Sequence, residues 1–394
     1  MSIQFTKRVE EARFHSPLAD FDLDTVPVEY REDPLTGQYS RVVEEWFPNI
    51  EDEPDVADYV GDGAGCFFCP DNVADATPTY PEFVGFDRGS VDEATSFPNL
   101  FPYAKHSNVV VLTEDHFRPI GALTADLFTD GFACALAYLR AVSDHDDASF
   151  ASVNMNLLPS AGSSVVHPHL QALTDDIGTN ESRRVRQRER EYHAEHGRSY
   201  WDDLANEERG GPRHVGSTGD VTWLVPFAPR HQYHVTGITD CAGIPEPTAD
   251  VVSDLAAGVE SVLAYYADLG LNAFNFALRL GDGDPASRAV FDIVAHPSTA
   301  ITTQTTSTFR SSTTAGSSTK RPRRTGRRSS TGFESRACGA QRSDSTGIST
   351  APSSVESVPS KAAARSCSAS STLRLFAFQK ASKRVPTYGI DPPT

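Results

Sequence analysis

Two histidines separated by one residue, His167 and His169, carry the strongest chemical signal in this sequence. On a β-strand, residues i and i+2 project from the same face, so one imidazole can bind a metal while the other faces a substrate. A neutral imidazole whose second nitrogen has a fixed acceptor can attack phosphorus and form a phosphoramidate, which divides one displacement into two. The pair is therefore a candidate for group transfer at phosphorus beside a metal.

Small and polar residues accompany the two histidines at short offsets. Asn156 comes before them, the run Gly162, Ser163 and Ser164 follows it, and Gln171 comes two residues after the second histidine. Glycine allows the backbone to approach a phosphate closely, and hydroxyl and amide groups can donate hydrogen bonds to its oxygens. We expect Ser164 and Gln171 to be such donors.

A CxxC pair, Cys66 and Cys69, stands between a glycine-rich run and a proline. Two thiolates at this spacing can chelate one metal ion from a tight turn. A redox-active pair usually caps a longer helix than the following residues suggest, and a disulfide requires an oxidising compartment. A zinc ion would need two further ligands, for which His116 and His167 are the candidates. Taken alone, His116 would be interpreted as a surface histidine in a turn.

The elements that must position these residues occur twice along the chain. Each copy has a β-branched strand, a helix with apolar residues three and four apart, and then a pair of strands. The strands lie at 108–112 and 233–236, the helices at 124–140 and 248–268, and the strand pairs begin near Ala151 and Asn272. The duplication predicts an α+β fold of two tandem repeats, residues 1–175 and 176–300, each with an antiparallel sheet and helices.

Composition and charge narrow the functional class. The chain is 39% hydrophobic and has no apolar run of the ~20 residues that cross a bilayer. The N-terminus lacks an apolar signal region, so we expect a cytoplasmic protein without a membrane partner. The net charge is -18, and residues 1–300 alone carry -29 with two lysines, Lys7 and Lys105. An acidic, lysine-poor surface is typical of proteins that work at high salt.

The last part of the chain, residues 301–394, has a different composition. Ser and Thr make up 35 of its 94 residues, and its net charge is +11. Such a segment buries too little apolar surface to form a packed core. Two interpretations remain: a disordered basic tail or translation in a shifted reading frame, and the abrupt change after His296 and Pro297 favours the second. Nucleic-acid binding is disfavoured because the acidic remainder would repel a polyanion.

Over roughly residues 30–297 the sequence resembles the galactose-1-phosphate uridylyltransferase family of the histidine-triad superfamily. Residues 31–38, Arg-Glu-Asp-Pro-Leu-Thr-Gly-Gln, are similar to the N-terminal signature of that family. The resemblance implies a homodimer and a ping-pong reaction that takes uridylyl from UDP-glucose and passes it to galactose 1-phosphate. It implies that His169 is the nucleophile.

The resemblance also assigns roles to the other candidates. It implies that the ligands of a zinc ion (Zn2+) are Cys66, Cys69, His116 and His167. It places Asn156, Gly162, Ser164 and Gln171 around the reacting phosphates, and we expect the adjacent Ser163 to bind the substrate as well. It puts Asn99 and Phe101 in the nucleoside pocket.

Several positions depart from the family pattern. Leu170 replaces a glycine, and residues 43–47 lack an expected arginine pair. At a second metal site found in some members, Val185 and Val294 replace a glutamate and a histidine, although His296 still fits. Two alternatives therefore stay open. One is a related phosphorylase or adenylyltransferase acting on an adenine nucleotide. The other is a zinc-stabilised nucleotide-binding protein without turnover.

Overall fold

Ten strands pair into one antiparallel sheet, and the predicted nucleophile begins one of its central strands. The computed structural model describes residues 3–43, 56–146 and 149–296; the predicted tail 301–394 and residues 44–47 lie outside this range. The strands are β4 Gly89–Val91, β5 Ala94–Pro98, β6 His106–Val111, β7 Phe150–Leu157, β8 His169–Asp175, β9 His214–Thr218, β10 Val221–Leu224, β11 Val235–Ile238, β12 Ala273–Arg279 and β13 Val290–His296.

The order of these strands reflects an internal duplication. It runs β4-β5-β6-β8-β7-β12-β13-β11-β10-β9, so that the second five strands repeat the arrangement of the first five in reverse. The halves meet where β7 pairs antiparallel with β12, with Met155 opposite Phe276. The predicted α+β class with antiparallel sheets is confirmed, and the sheets of the two repeats are continuous across this pairing.

Two long helices cover one face of the ten-stranded sheet. The helices are α1 Ala57–Val60, α2 Pro70–Ala76, α3 Ala125–His145, α4 Asn180–His196, α5 Tyr200–Glu208 and α6 Asp250–Asp268. The two long apolar helices, α3 and α6, correspond to the predicted helices at 124–140 and 248–268. They pack against the apolar side of the strands, where Phe132, Phe276 and Phe291 are at most 1% exposed. Burial of each such ring stabilises the fold by roughly 1.5–3 kcal/mol.

The opposite face of the sheet is polar near its centre. Strand residues alternate between the two faces, so the neighbours of the buried Leu170 and Met155 point away from the helices. Toward one side, α4 and α5 cover this second face through Val185, Trp201 and Leu204, which pack with residues of β10, β11 and β13. The part of the polar face next to β8 carries the candidate site.

A smaller sheet precedes the large one. It consists of β1 Lys7–Ser16, β2 Asp22–Glu32 and β3 Tyr39–Val42 in that order. The signature segment at 31–38 connects β2 to β3, and Asp33 closes its turn by accepting hydrogen bonds from Leu35 N and Thr36 N. No helix within the described parts of the chain combines the length and apolar character that a membrane-spanning helix requires.

Candidate metal centre and active site

Four predicted ligands converge although they come from three separate parts of the sequence. The ligand atoms of Cys66, Cys69, His116 and His167 all lie within 4.8 Å of one another. The Sγ atom of Cys69 is 3.5 Å from Nδ1 of His116 and 3.7 Å from Nδ1 of His167. The Sγ atom of Cys66 is 3.8 Å from Nδ1 of His167. This group is the one metal-ligand cluster of three or more such side chains in the described residues.

The separations fit the edges of a zinc tetrahedron. Bond lengths of about 2.3 Å to sulfur and about 2.1 Å to nitrogen give a tetrahedral S···N edge of about 3.6 Å. The three measured S···N distances, 3.5, 3.7 and 3.8 Å, lie close to this value. Two soft thiolates and two imidazoles are also a donor set that zinc prefers. The residues therefore fit a tetrahedral Zn2+ ion.

Backbone carbonyls orient both imidazoles of the cluster. Nε2 of His116 donates to the carbonyl oxygen of Val60 at 3.1 Å, and Nε2 of His167 donates to that of Thr113 at 2.7 Å. Each ring thereby presents the lone pair of its Nδ1 to the thiols, as a metal ligand must. Burial lowers the pKa of His167 to about 4, which keeps this ring neutral. His116 lies in the loop after β6, which ends at Val111.

The CxxC turn has the geometry of a metal clip. Cys66 N donates to Gly63 O at 3.0 Å, and Cys69 is the N-cap of α2, a helix of only seven residues. Burial and the neighbouring thiol raise the pKa of Cys69 to about 11, whereas a redox-active pair needs a lowered pKa. Gly63 has a φ of +78°, and a Cβ there would come within 2.8 Å of Cγ of His116. Only glycine fits at this position.

His169 is the first residue of β8 and lies beside the metal cluster. Its Nδ1 donates to the carbonyl oxygen of His167 at 2.7 Å, and its side chain is 8% exposed. The ring of Phe68 packs against it at a centroid distance of 5.2 Å. Burial lowers the pKa of His169, which favours the neutral ring. The hydrogen bond fixes the proton on Nδ1 and leaves Nε2 with its lone pair.

The turn before these histidines is strained and open. Leu158 adopts a φ of +69° and Gly162 a φ of +87°, and no heavy atom lies within 4 Å of a Cβ at Gly162. The N–H groups of Gly162 and Ser163 donate to carbonyl oxygens inside the turn, at 2.8 and 3.1 Å. The hydroxyl of Ser163 donates to Val165 O at 2.6 Å, whereas Ser164 is exposed. Ser164 is thus better placed than Ser163 to meet a ligand.

Amide side chains continue the polar face beside His169. Gln171 on β8 lies opposite Asn154 on β7, and Asn156 lies opposite Asn275 on β12. The Oδ1 atom of Asn154 is buried and has no hydrogen-bond partner among the described residues. An oxygen acceptor of this kind can receive a ligand hydroxyl.

The two predicted nucleoside-pocket residues lie toward the other end of β8. Asn99 N donates to Ser107 O at 2.9 Å, and Ser107 lies opposite Leu173. Leu173 is four residues from His169, which corresponds to about 13 Å along a strand. Asn99 Oδ1 accepts from Phe101 N at 3.0 Å, and the Phe101 side chain is 75% exposed. The exposed ring offers a surface on which a base could stack.

The second repeat carries polar residues that the sequence did not reveal. Asp292 Oδ1 accepts from Thr236 Oγ1 at 2.7 Å and from Nε2 of His234 at 3.1 Å, and Oδ2 accepts from Nη2 of Arg279 at 3.3 Å. Burial opposes the charge of Asp292, but the hydrogen bonds and ion pairs hold its pKa well below the usual range. The duplication was the only sequence signal that could have directed attention to these strands.

A second metal site is not assembled from the described residues. Val185 and Val294 are both 3% exposed or less and pack in the interior, where neither can bind a metal. His296 instead donates through Nε2 to Asn275 Oδ1 at 2.7 Å.

Comparison with known proteins identifies a relative of this chain. An "uncharacterized protein" of Archaeoglobus fulgidus is 32% identical over 288 residues, which cover 71% of this chain and 84% of that protein. This chain belongs to the same family as that archaeal protein. No protein-family model matches the chain.

Solved structures define the fold of this family member. The chain is similar to a GalT-like protein of Arabidopsis thaliana, with 16% identity and a TM-score of 0.54 over 69% of this chain and 90% of that one. It is also similar to an ADP-glucose phosphorylase of A. thaliana with bound ADP-glucose, with 16% identity and a TM-score of 0.55 over 69% of this chain and 90% of that one. A uridylyltransferase mutant is similar with 19% identity and a TM-score of 0.50, over 68% of this chain and 85% of that one. The chain therefore shares the fold of these GalT-like, phosphorylase and uridylyltransferase structures, as the sequence resemblance implies.

Proposed function

We propose that the chain is a nucleotidyltransferase that moves uridylyl between UDP-glucose and galactose 1-phosphate through a covalent intermediate on His169. The observation that carries the proposal is the 2.7 Å hydrogen bond from Nδ1 of His169 to the carbonyl oxygen of His167. This bond selects the tautomer in which Nε2 is unprotonated. A buried, neutral imidazole with one free nitrogen is the form of histidine that attacks phosphorus.

In the first half-reaction, Nε2 of His169 attacks the α-phosphorus of the nucleotide sugar. A P–N bond forms, the bond from phosphorus to the bridging oxygen breaks, and the sugar 1-phosphate leaves with the electron pair. The ring becomes positively charged in this step, and the carbonyl oxygen that accepts from Nδ1 stabilises that charge. Gln171 and the exposed Ser164 would donate hydrogen bonds to the phosphoryl oxygens.

In the second half-reaction, a phosphate oxygen of the acceptor sugar phosphate attacks the same phosphorus. The P–N bond breaks, and its electron pair returns to Nε2, which restores the neutral imidazole. Because one histidine serves both halves, donor and acceptor would bind in turn, and the kinetics would be ping-pong.

Zinc bound by Cys66, Cys69, His116 and His167 would have a structural role and would not contact the reacting groups. When bound, it supplies a rigid tetrahedral crosslink between the CxxC turn and the two histidine segments. His167 belongs to both sites, because its ring faces the thiols while its carbonyl oxygen holds His169. The crosslink would therefore fix the position of the nucleophile.

A second candidate is the same half-reaction on an adenine nucleotide. It is favoured by the similarity to the ADP-glucose phosphorylase, whose structure contains ADP-glucose. The chemistry at His169 would be identical, and the difference would lie in the base pocket and in the acceptor.

The GalT-like resemblance additionally supports a homodimer, which the molar mass of the protein in solution would test.

The test is mass spectrometry of the intact protein after separate incubations with UDP-glucose and ADP-glucose. Addition of uridylyl supports the first function, and addition of adenylyl supports the second. His169→Gly should remove the addition while zinc content and the melting temperature stay near those of the wild type. His193→Ala, a change in a half-buried histidine of α4, is the matched control and should still be modified. Binding without any covalent addition would contradict both transferase functions and leave a nucleotide-binding protein.

A further inference from the structure

Asn275 connects the second repeat to the loop and strand that surround His169. It lies on β12, the strand through which the two repeats pair, and its side chain is 1% exposed. Its Nδ2 donates to Asn156 Oδ1 and, at 2.6 Å, to the carbonyl oxygen of Ala161. Its Oδ1 accepts from Nε2 of His296 at 2.7 Å. All the hydrogen-bonding capacity of the Nδ2 group is thus directed at the first repeat.

These contacts determine which way each amide points. A carbonyl oxygen can only accept, so the Asn275 atom facing Ala161 must be Nδ2. The second N–H of that group then requires an acceptor, so Asn156 must present Oδ1 to it. The Nδ2 group of Asn156 consequently points away from Asn275. Asn156 as a whole is half-buried rather than fully enclosed.

Both ends of the connection lie next to the nucleophile. Met155 lies opposite Leu170, so Asn156 and His169 are the next residues along these two paired strands. Adjacent strands are about 4.8 Å apart, which places Asn156 beside the reacting group. Ala161 directly precedes Gly162 in the strained turn that leads to the two histidines.

We propose that Asn275 is a positioning residue for nucleotidyl transfer to His169, an inference that rests on the proposed function. It holds the Asn156 amide with its N–H group toward the phosphoryl oxygens, and it anchors the Ala161–Gly162 turn. The second repeat thereby contributes to a reaction whose reacting groups all belong to the first. His296 stabilises this arrangement from the other side of Asn275.

The consequence is a specific kinetic pattern. Without Asn275, the Asn156 amide can rotate and the turn can shift, while the nucleotide still contacts the remaining pocket. Small displacements of positioned groups cost up to about 100-fold in rate. The single-turnover rate of His169 modification in Asn275→Ala should fall about 10-fold or more, with a smaller change in the nucleotide-sugar concentration that gives half-maximal rate.

The experiment is a double-mutant cycle on the rate of His169 modification by the substrate that labels the wild type. Asn275→Ala, Asn156→Ala and the double variant are compared with Thr239→Val, which also loses a buried hydrogen bond of the second repeat, at 2.9 Å to Ala289 O. Because Asn275 acts partly through Asn156 and partly through the Ala161–Gly162 turn, the rate loss of the double variant should be clearly smaller than the product of the two single losses. Thr239→Val should lose stability but react like the wild type.

The proposal would be overturned if the rate losses of Asn156→Ala and Asn275→Ala simply multiply in the double variant. It would also be overturned if Asn275→Ala reacts at the same rate as Thr239→Val. If Asn275→Ala does not fold, His296→Ala tests the same arrangement, because it removes the donor to Asn275 Oδ1. Its rate should fall, and His296→Gln, which keeps an N–H donor, should restore it; an unchanged His296→Ala rate contradicts the proposal. An unmodified wild-type protein would instead refute the proposed function, and the inference with it.

Discussion

His167 and His169 are joined by a hydrogen bond of 2.7 Å in which the backbone of one holds the ring of the other. The ring of His167 meanwhile faces the thiols of Cys66 and Cys69 at 3.8 and 3.7 Å. A single residue therefore transmits the geometry of the metal cluster to the predicted nucleophile. Disturbing the cluster should affect both the stability of the fold and the rate of nucleotidyl transfer.

Metal content gives the first prediction. Purified protein should contain about one zinc ion per chain, because four ligands form one tetrahedral site. Cys66→Ser together with Cys69→Ser should lose that zinc and lower the melting temperature, since a metal that binds only the folded state adds to its stability. Elemental analysis and thermal denaturation measure both effects. Cys241→Ser, outside the cluster, serves as control; full zinc retention in the double variant would contradict the site.

Gly63 gives a second prediction about the same cluster. Gly63→Ala introduces a Cβ that would lie 2.8 Å from Cγ of His116 at a φ of +78°. Either the turn or the histidine must move, so zinc affinity should fall by about 10-fold or more, as when groups that orient a ligand are lost. Competition with a chelator measures the affinity. Gly61→Ala, at a φ of +68° with no neighbour within 4 Å, carries the same backbone strain without the clash and should bind zinc more tightly than Gly63→Ala.

Gln171 is expected to act in the transition state. Gln171→Ala removes a predicted donor to the phosphoryl oxygens, and loss of one such donor reduces rate by about 10²–10³-fold. Zinc content and melting temperature should change little, because the half-buried side chain lies outside the metal cluster. Single-turnover kinetics of His169 modification tests this expectation. A rate within twofold of the wild type would exclude Gln171 from the reaction.

Phe101 should contribute to nucleotide binding. Its ring is 75% exposed, so Phe101→Ala removes little buried surface and should leave the melting temperature unchanged. If a base stacks on the ring, its loss should weaken binding by about 1–3 kcal/mol. Isothermal titration with UDP-glucose and ADP-glucose measures this effect. Phe21→Ala, also an exposed ring at 68% but in the turn between β1 and β2, should bind like the wild type.

Asp292 makes stability depend on pH. Ion pairs and hydrogen bonds lower its folded-state pKa, so its stabilising contribution is present at neutral pH and is lost as the pH falls below about 4. Asp292→Asn leaves Arg279 without its buried counter-charge and should cost about 3–5 kcal/mol at pH 7. The difference from the wild type should shrink toward pH 3. Urea denaturation across this range measures it; a constant difference would contradict this assignment.

Local patterns predicted the parts of the site that are close in sequence. The CxxC turn and the helices α3 and α6 follow from spacing and periodicity within short segments. The expectation that one strand carries both histidines was wrong for His167, because β8 begins at His169 and His167 lies in the preceding turn. The contact of Cys69 with His167 joins residues 98 positions apart, and no local pattern encodes it. His116 could be assigned only through the family resemblance, because a histidine in a turn has no distinctive spacing.

Asn275 was missed for a related physical reason. Its partner Asn156 is 119 residues away, and their contact depends on the register between β7 and β12. The alternation of apolar and polar residues in β7 predicts the two faces of that strand, and β12 is mostly apolar. Neither pattern predicts which strand pairs with which neighbour. For the same reason, the sequence did not predict that the sheets of the two repeats join into one sheet.

The mirrored strand order has a consequence for the origin of the chain. A sheet that reads the same from either end, with its centre at the β7–β12 pairing, is the arrangement that two identical half-length chains would form by joining along one strand edge. The present protein thus has the architecture of a fused dimer. In this architecture the predicted nucleophile and metal ligands belong to the first half alone. The second half completes the sheet beside them through the β7–β12 pairing and can differ from the first elsewhere.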